Sequence, residues 1–326
     1  MRGRRRQRGG RATPLLLLLL LALVLVPCVV LAIYLLSHPD RPTASPTLSA
    51  VDRPASAEPP KPPVPPARVR AVEELDKELR SISQAHAGTH GVVVFDPYSG
   101  ESASLNADRR FVAASLSKLY ALLTLYRAAS RGELSLDDEI TMRASDVWAE
   151  GTGVLYRYPV GTTMTLRECA SFLIKESDNT AEVMLNRYLG EEEIEAELHR
   201  LGARSTSYWM PNTTTPNDVL LVLKAIADPS HTSPELSSEM LEIMTGTSFE
   251  DRLPQPLPEG VRIAHKIGSY ESTFSDAGIV FPEKSNIDQA YYVVVFSEGT
   301  TEGEARGTIQ DASLAAYQAL APPNAR

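Results

Sequence analysis

Ser115-Leu116-Ser117-Lys118 is the stretch of this chain whose residue types and spacing could do nucleophilic chemistry. A serine in the first turn of a helix feels the positive end of the helix dipole, which favours alkoxide character and a nearby oxyanion. The residue three positions on shares its helix face, so Lys118 can reach the Ser115 oxygen. A lysine buried at such a site is stripped of hydration, and a neutral amine can then act as general base. Alone, the pattern fits an N-cap serine and a lysine stretching out to solvent equally well. Two further polar groups single it out. Ser177-Asp178-Asn179 fills a polar gap between the apolar stretches 166–174 and 181–189, and Lys266-Ile267-Gly268-Ser269 ends a strand-like run. Two lysines beside one serine disfavour each other's charge and together attract an anionic acyl donor, such as a C-terminal carboxylate.

Other chemistries are closed off. The chain has no G-x-S-x-G elbow, no H-E-x-x-H and no C-x-x-C, and none of its lysines follows a glycine as a P-loop requires. Six histidines are scattered without a partner at metal-ligand spacing, and they read as structural or exposed. The two cysteines, Cys28 and Cys169, lie in different kinds of segment, so a disulfide framework and a cysteine metal site are excluded. No metal or organic cofactor is implied. Six of the 32 basic residues fall within 1–36, which leaves 26 against 41 acidic residues in the remainder. So acidic a body is a poor partner for phosphate backbones, and nucleic-acid binding is not expected.

The elements that must position these residues follow from periodicity. Val69, Val72, Leu75, Leu79 and Ile82 fall at helical spacing. Residues 91–96 and 101–106 predict two strands joined by the turn Pro97-Tyr98-Ser99-Gly100. Residues 116–129 form a helix with almost no polar face, which must be buried. A helical middle spans about 135–250. Strands return at 261–266, 276–281 and 290–296, before a closing helix at about 304–320. Two strands first, helices in the middle and three strands last predict an α+β fold: a sheet of about five strands with a helical subdomain beside it.

The N-terminal end has a different character. Residues 15–36 run for 22 residues without a charge, about 33 Å as a helix, against a hydrocarbon core of about 30 Å. Arg2, Arg4, Arg5, Arg6, Arg8 and Arg11 precede it, which predicts a cytoplasmic arm over 1–14, a transmembrane anchor over 15–36 and an exported remainder. A cleaved signal peptide would have a shorter apolar core and a small-residue site close behind it, and no such site closely follows Leu36. Ten prolines in 37–66 predict an extended spacer over 37–67 carrying a domain at 68–326.

Ser-x-x-Lys, then Ser-Asp-Asn, then Lys-x-Gly on a strand, in that order, resembles the penicillin-recognising serine hydrolases, specifically the class A β-lactamase family. The resemblance covers about 68–321 and includes Gly161-Thr162-Thr163-Met164-Thr165-Leu166-Arg167-Glu168, Thr213-Thr214-Thr215-Pro216 and His265. It implies an antiparallel sheet flanked by helices, and catalytic roles for Ser115, Lys118, Ser177 and Lys266. Ser115 would attack a carbonyl and Lys118 take its proton. Ser177 would relay a proton to the departing nitrogen, supported by Lys266. The backbone N–H groups of Ser115 and Ser269 would form the oxyanion hole, and Asn179, Gly268 and Ser269 would bind substrate. The implied substrate is a β-lactam or the D-Ala-D-Ala end of a cell-wall peptide, taken by a monomeric catalytic domain outside a bacterial membrane.

The pattern breaks in two places. Class A enzymes clear the acyl group with a glutamate in a loop motif, Glu-x-x-Leu-Asn. The literal match, Glu182-Val183-Met184-Leu185-Asn186, falls inside the helix after Ser177-Asp178-Asn179, and Tyr208-Trp209-Met210-Pro211-Asn212 stands where the loop belongs. Glu191, Glu192, Glu193, Glu195 and Glu197 read as a solvated helix face. The deacylation base is therefore expected to be absent, as in the small penicillin-binding D,D-peptidases related to class A enzymes. Second, Ile267 replaces the threonine whose hydroxyl holds the substrate carboxylate, a task left for Ser269 or an arginine elsewhere. A binding or sensing module without turnover, and an esterase, stay open as alternatives.

Overall fold

Period-two alternation in the strands sorts the side chains onto the two faces of one sheet. The computed structural model describes residues 64–208, 210–283 and 289–322. The predicted basic arm, the apolar run 15–36 and the spacer up to residue 63 lie outside the described residues. Within these residues no helix is long and apolar enough to cross a membrane.

After helix α1 (Pro66–Ala85), strands β1 (Thr89–Asp96) and β2 (Glu101–Leu105) form a hairpin. The late strands are β7 (Arg262–Tyr270), β8 (Thr273–Phe281) and β9 (Tyr291–Glu298), and α8 (Glu302–Leu320) closes the chain. These strands make one antiparallel five-stranded sheet in the order β2-β1-β9-β8-β7, so the first and last segments meet at its centre through β1 and β9. Val92 and Val94 of β1, with Val293 and Val295 of β9, face a core shared with Val72, Leu75 and Leu79 of α1 and Ile309, Ala312 and Ala316 of α8. Val93, Val294 and Phe296 face the opposite way, into the larger core.

That larger core is the helical subdomain. Its centre is α2 (Ser117–Ser130), in which Leu119, Leu122, Leu123 and Leu125 are all buried. Each buried leucine side chain contributes about 1.5–3 kcal/mol through the area it removes from water. Around α2 pack α3 (Leu166–Lys175), α4 (Asn179–Leu189), α5 (Glu191–Leu201), α6 (Pro216–Ala227) and α7 (Pro234–Ile243). Two short antiparallel pairs, β3 (Phe111–Val112) with β6 (Thr213–Thr214) and β4 (Glu139–Thr141) with β5 (Thr163–Thr165), pin the connections.

Three local expectations need correction. Ser115 lies not in the first α-helical turn but in a 3₁₀ turn, Ala114–Leu116, leading into α2. Lys266 to Ser269 do not end their strand, because β7 continues to Tyr270 opposite Thr273 of β8. Glu197 is not part of a solvated face: it is buried, and its carboxylate meets His231 at 3.1 Å as well as Arg200 and Arg131. Helix α5 packs α2 on that side, so the acidic run is amphipathic rather than uniformly exposed.

Candidate active site

The turn that carries Ser115 is held in an uncommon conformation. Ala114 has φ +49°, a region that L-residues enter only when their surroundings demand it. The surroundings here are Asn212 and Ser117. The Ala114 N–H donates to Asn212 Oδ1 at 3.2 Å, Asn212 Nδ2 donates to the Ala114 carbonyl at 3.3 Å, and Ser117 Oγ reaches the same carbonyl at 2.8 Å. The short connection before Thr213 thus clamps the nucleophile turn, a role for Asn212 that no local pattern announced.

Lys118 follows one turn later and is fully buried. Its Nζ donates to Ser115 Oγ at 3.0 Å, to the Ser177 carbonyl at 2.9 Å, to Ser177 Oγ at 3.4 Å and to Asn179 Oδ1 at 2.7 Å. A buried amine is tolerated only where such oxygens replace its water.

Ser177 and Asn179 come from the gap between α3 and α4. Ser177 takes φ +51°, and Asp178 caps α4 by accepting from the Ala181 N–H at 2.9 Å. The other Asp178 oxygen accepts from the N–H groups of Val154 and Leu155 at 2.5 and 2.8 Å. A Cβ at Gly153 would lie 2.5 Å from the Asp178 carboxylate, so glycine there lets the two segments meet. Asn179 Nδ2 donates to the Glu150 carbonyl at 2.8 Å. Asp178 therefore positions its neighbours, while Ser177 and Asn179 face Lys118.

From the sheet, Lys266 on β7 donates to Ser177 Oγ at 2.9 Å and to the Ile267 carbonyl at 2.9 Å. Burial, and then the neighbouring charge of Lys118, push the Lys266 ammonium well below the usual lysine range. The backbone of β7 lies directly against the nucleophile turn. A Cβ at Gly268 would stand 2.9 Å from the Ala113 carbonyl and 2.5 Å from Ser275 Oγ. Ile267 is buried, and Ser269, two residues along the strand, is exposed.

The structure therefore brings together Ser115, Lys118, Ser177, Asn179, Lys266, Gly268 and Ser269, drawn from the 3₁₀ turn, α2, the α3–α4 gap, the first residue of α4 and β7. It adds two groups. Arg252, 2% exposed and just ahead of β7, donates through Nη2 to Ser269 Oγ at 2.6 Å and through Nη1 to the carbonyls of Gly268 and Ser275 at 2.9 and 2.7 Å. Only tertiary folding brings this arginine against Ser269, two residues beyond Ile267. Glu182 is the second. It is not an ordinary helix-surface residue: its Oε2 lies 3.3 Å from Lys118 Nζ and its Oε1 accepts from Ser117 Oγ at 3.1 Å. The signal for it was its spacing. Glu182 is three residues past Asn179 on α4, hence on the same helix face.

Beneath the site, His265 is paired through Nδ1 with Asp276 at 2.9 Å. Burial opposes its charged form, yet the Asp276 and Glu250 carboxylates outweigh that and raise it to about 9. Among the described residues, no cluster of His, Cys, Asp and Glu side chains could hold a metal ion.

A sequence profile described as the Beta-lactamase enzyme family matches residues 74–320, which contain every one of these groups. The chain belongs to this family. A β-lactamase of Amycolatopsis lactamdurans is 32% identical over 154 residues, 46% of this chain and 49% of that protein, so the match spans about half the length of that relative. The crystal structure of the β-lactamase from Sphaerobacter thermophilus DSM 20745 is 31% identical with a TM-score of 0.69, over 77% of this chain and 99% of that one. A mutant of PBP-A, solved as an acyl-enzyme complex with penicillin G, is 26% identical with a TM-score of 0.70, over 80% and 98% of the two chains. As a β-lactamase-family protein, the chain is a serine hydrolase with an acyl-enzyme mechanism, and its fold is the α+β arrangement of that family.

Proposed function

We propose that Ser115 is the nucleophile of a membrane-anchored, extracytoplasmic acyl-hydrolase that opens β-lactams, or the D-Ala-D-Ala end of cell-wall peptides, and releases the product slowly. The observation that carries this is the chain of contacts Ser115–Lys118–Ser177–Lys266, at 3.0, 3.4 and 2.9 Å. Lys118 takes the Ser115 proton as Oγ attacks the carbonyl carbon. The Ser115 and Ser269 backbone N–H groups receive the oxyanion, usually the largest single contribution in acyl transfer. Ser177 passes a proton to the departing nitrogen, and Lys266, its charge already disfavoured, is suited to replenish that proton.

Substrate orientation falls to the remaining groups. Asn179 has given one N–H to Glu150, which leaves the second for the amide side chain of the substrate. Arg252 and Ser269 take over the carboxylate-holding task that Ile267 cannot perform, and Gly268 lets the substrate-binding strand approach the nucleophile turn closely. This favours a carboxylate-bearing donor over a neutral ester. Slow release is expected because the loop from Tyr208 to Asn212 carries no carboxylate, so that any base must come from a less direct position on another element. The anchor rests on residues 15–36 and the six arginines before them, and the catalytic domain is taken as a monomer.

Intact-protein mass spectrometry of the full chain after adding a penicillin, with Ser115→Ala alongside, tests the proposal. A penicilloyl adduct on the wild type and none on the variant is the expected result. Adduct on both proteins, or on neither, would sink the assignment. An adduct that is never cleared would instead make the chain a penicillin-binding or sensing module.

A further inference from the structure

The loop that carries the deacylating glutamate in class A enzymes has no acid here, yet a carboxylate from another element has reached Lys118, the amine that contacts Ser115 Oγ. Glu182, on α4, sits within 3.3 Å of Lys118 Nζ, and that same nitrogen is 3.0 Å from Ser115 Oγ. Because the two contacts share one nitrogen, Glu182 Oε2 and Ser115 Oγ are at most about 6.3 Å apart, the sum of those distances. Contacts spread at the tetrahedral angle of an ammonium would put them at about 5 Å. One water hydrogen-bonded to two oxygens bridges up to about 5.6 Å. At the tetrahedral angle, one water would fit between the Glu182 carboxylate and Ser115 Oγ.

The rest of the environment suits the task. The Glu182 side chain is 22% exposed while Lys118 beside it is 1% exposed, so the carboxylate stands at the boundary where water can reach the otherwise closed site. Ser117 Oγ shares its one proton between the Ala114 carbonyl at 2.8 Å and Glu182 Oε1 at 3.1 Å, and Oε2 is the oxygen turned towards Lys118. Asn179, one helical turn back on the same face, donates its Nδ2 to Glu150 and accepts from Lys118, so the face is anchored at both ends. A glutamate serving only to neutralise a buried lysine would need neither the water access nor the hydroxyl.

Resting on the acyl-enzyme at Ser115 proposed above, we infer that Glu182 is the general base that clears that acyl-enzyme, supplied from the helix after Ser-Asp-Asn instead of from the loop. The water oxygen forms a bond to the acyl carbon while Glu182 Oε2 takes its proton. The bond from the acyl carbon to Ser115 Oγ then breaks, and Oγ takes a proton from the Lys118 ammonium. Glu182 returns its proton to Lys118, and Lys118 passes one through Ser177 to Lys266, which gave one up during acylation; this restores all three groups and leaves a free acid and a free serine.

The test separates formation of the penicilloyl adduct from its decay, using the full chain with Glu182→Gln and Glu182→Asp, followed by timed intact mass and stopped-flow acylation. General-base catalysis contributes about 10²–10⁴-fold, so the Gln variant should acylate within about tenfold of wild type and hold its adduct at least about 100-fold longer. The Asp variant, with a carboxylate one methylene shorter, should recover part of the decay. Adduct formation by the Gln variant also reports a folded site. Equal decay in wild type and Gln variant, or a wild-type adduct that never decays, overturns the inference. So does loss of acylation in the Gln variant alone, which would make Glu182 a partner of the first step. If the wild type forms no adduct, the Ser115 reading fails and takes the inference with it.

Discussion

Lys266 donates to Ser177 Oγ at 2.9 Å, although 89 positions of chain separate the two residues. Lys118 approaches the same oxygen at 3.4 Å. Ser177 is thus the joint between two amines, one delivered by the sheet and one by the buried helix, and the proton route proposed between them depends on how those two layers dock.

Removing one amine should break that route. Lys266→Met keeps most of the volume and avoids an unpaired buried charge, so the fold should survive. The acylation rate with a penicillin, measured by stopped flow, should fall about 100-fold or more, as expected when a positioned proton-transfer group is lost. A rate within threefold of wild type would mean that Ser177 works without its sheet partner.

Arg252 should govern affinity for the substrate carboxylate. Lysine cannot reproduce three hydrogen bonds from one planar guanidinium. Charged hydrogen bonds of this kind are worth about 1.5–3 kcal/mol, so Arg252→Lys should raise KM for a carboxylate-bearing β-lactam by about 10–100-fold with kcat little changed. The methyl ester of the same compound should be affected far less. Equal losses on the two substrates would show that Arg252 supports β7 rather than the ligand.

A methyl group at Gly268 should act on stability and catalysis together. Its Cβ would press on the Ala113 carbonyl at 2.9 Å and on Ser275 Oγ at 2.5 Å, and a backbone atom cannot swing aside. Overpacking of this sort costs about 1–3 kcal/mol. Gly268→Ala should lose that much in denaturant unfolding and also slow acylation, because the displaced turn carries Ser115. Unchanged stability would mean that the strand and turn can separate freely.

The pair His265–Asp276 predicts a pH dependence of stability. The folded-state value of His265, about 9, lies above its ordinary 6.5, so the folded chain holds this proton more tightly than the unfolded chain. The stabilisation is fully present below about pH 6.5 and is lost as pH rises through about 9. A shift of this size corresponds to about 3 kcal/mol for a fully buried group. Urea unfolding at pH 6 and pH 9 should show a drop of that order, and Asp276→Asn should flatten it. A wild-type chain equally stable at both values would contradict the pairing.

Much of this molecule is legible without coordinates. Val92 to Phe95 and Tyr291 to Val295 announce strands, and residues 116–129 announce a buried helix, because burial imposes a period on neighbouring residues and a period is a local property. The order of Ser115, Lys118, Ser177, Asn179 and Lys266 is enough to name the chemistry. What the local pattern leaves open is which distant groups converge. Arg252 belongs to no motif and matters only because the chain ahead of β7 folds back over Gly268 and Ser269. Glu182 shares a helix face with Asn179, which is visible in the sequence, but that this face turns towards Lys118 depends on how α4 docks against α2. Spacing along a helix or strand determines which residues travel together. Only packing between elements, where cores close and buried charges find oxygens, determines what they meet.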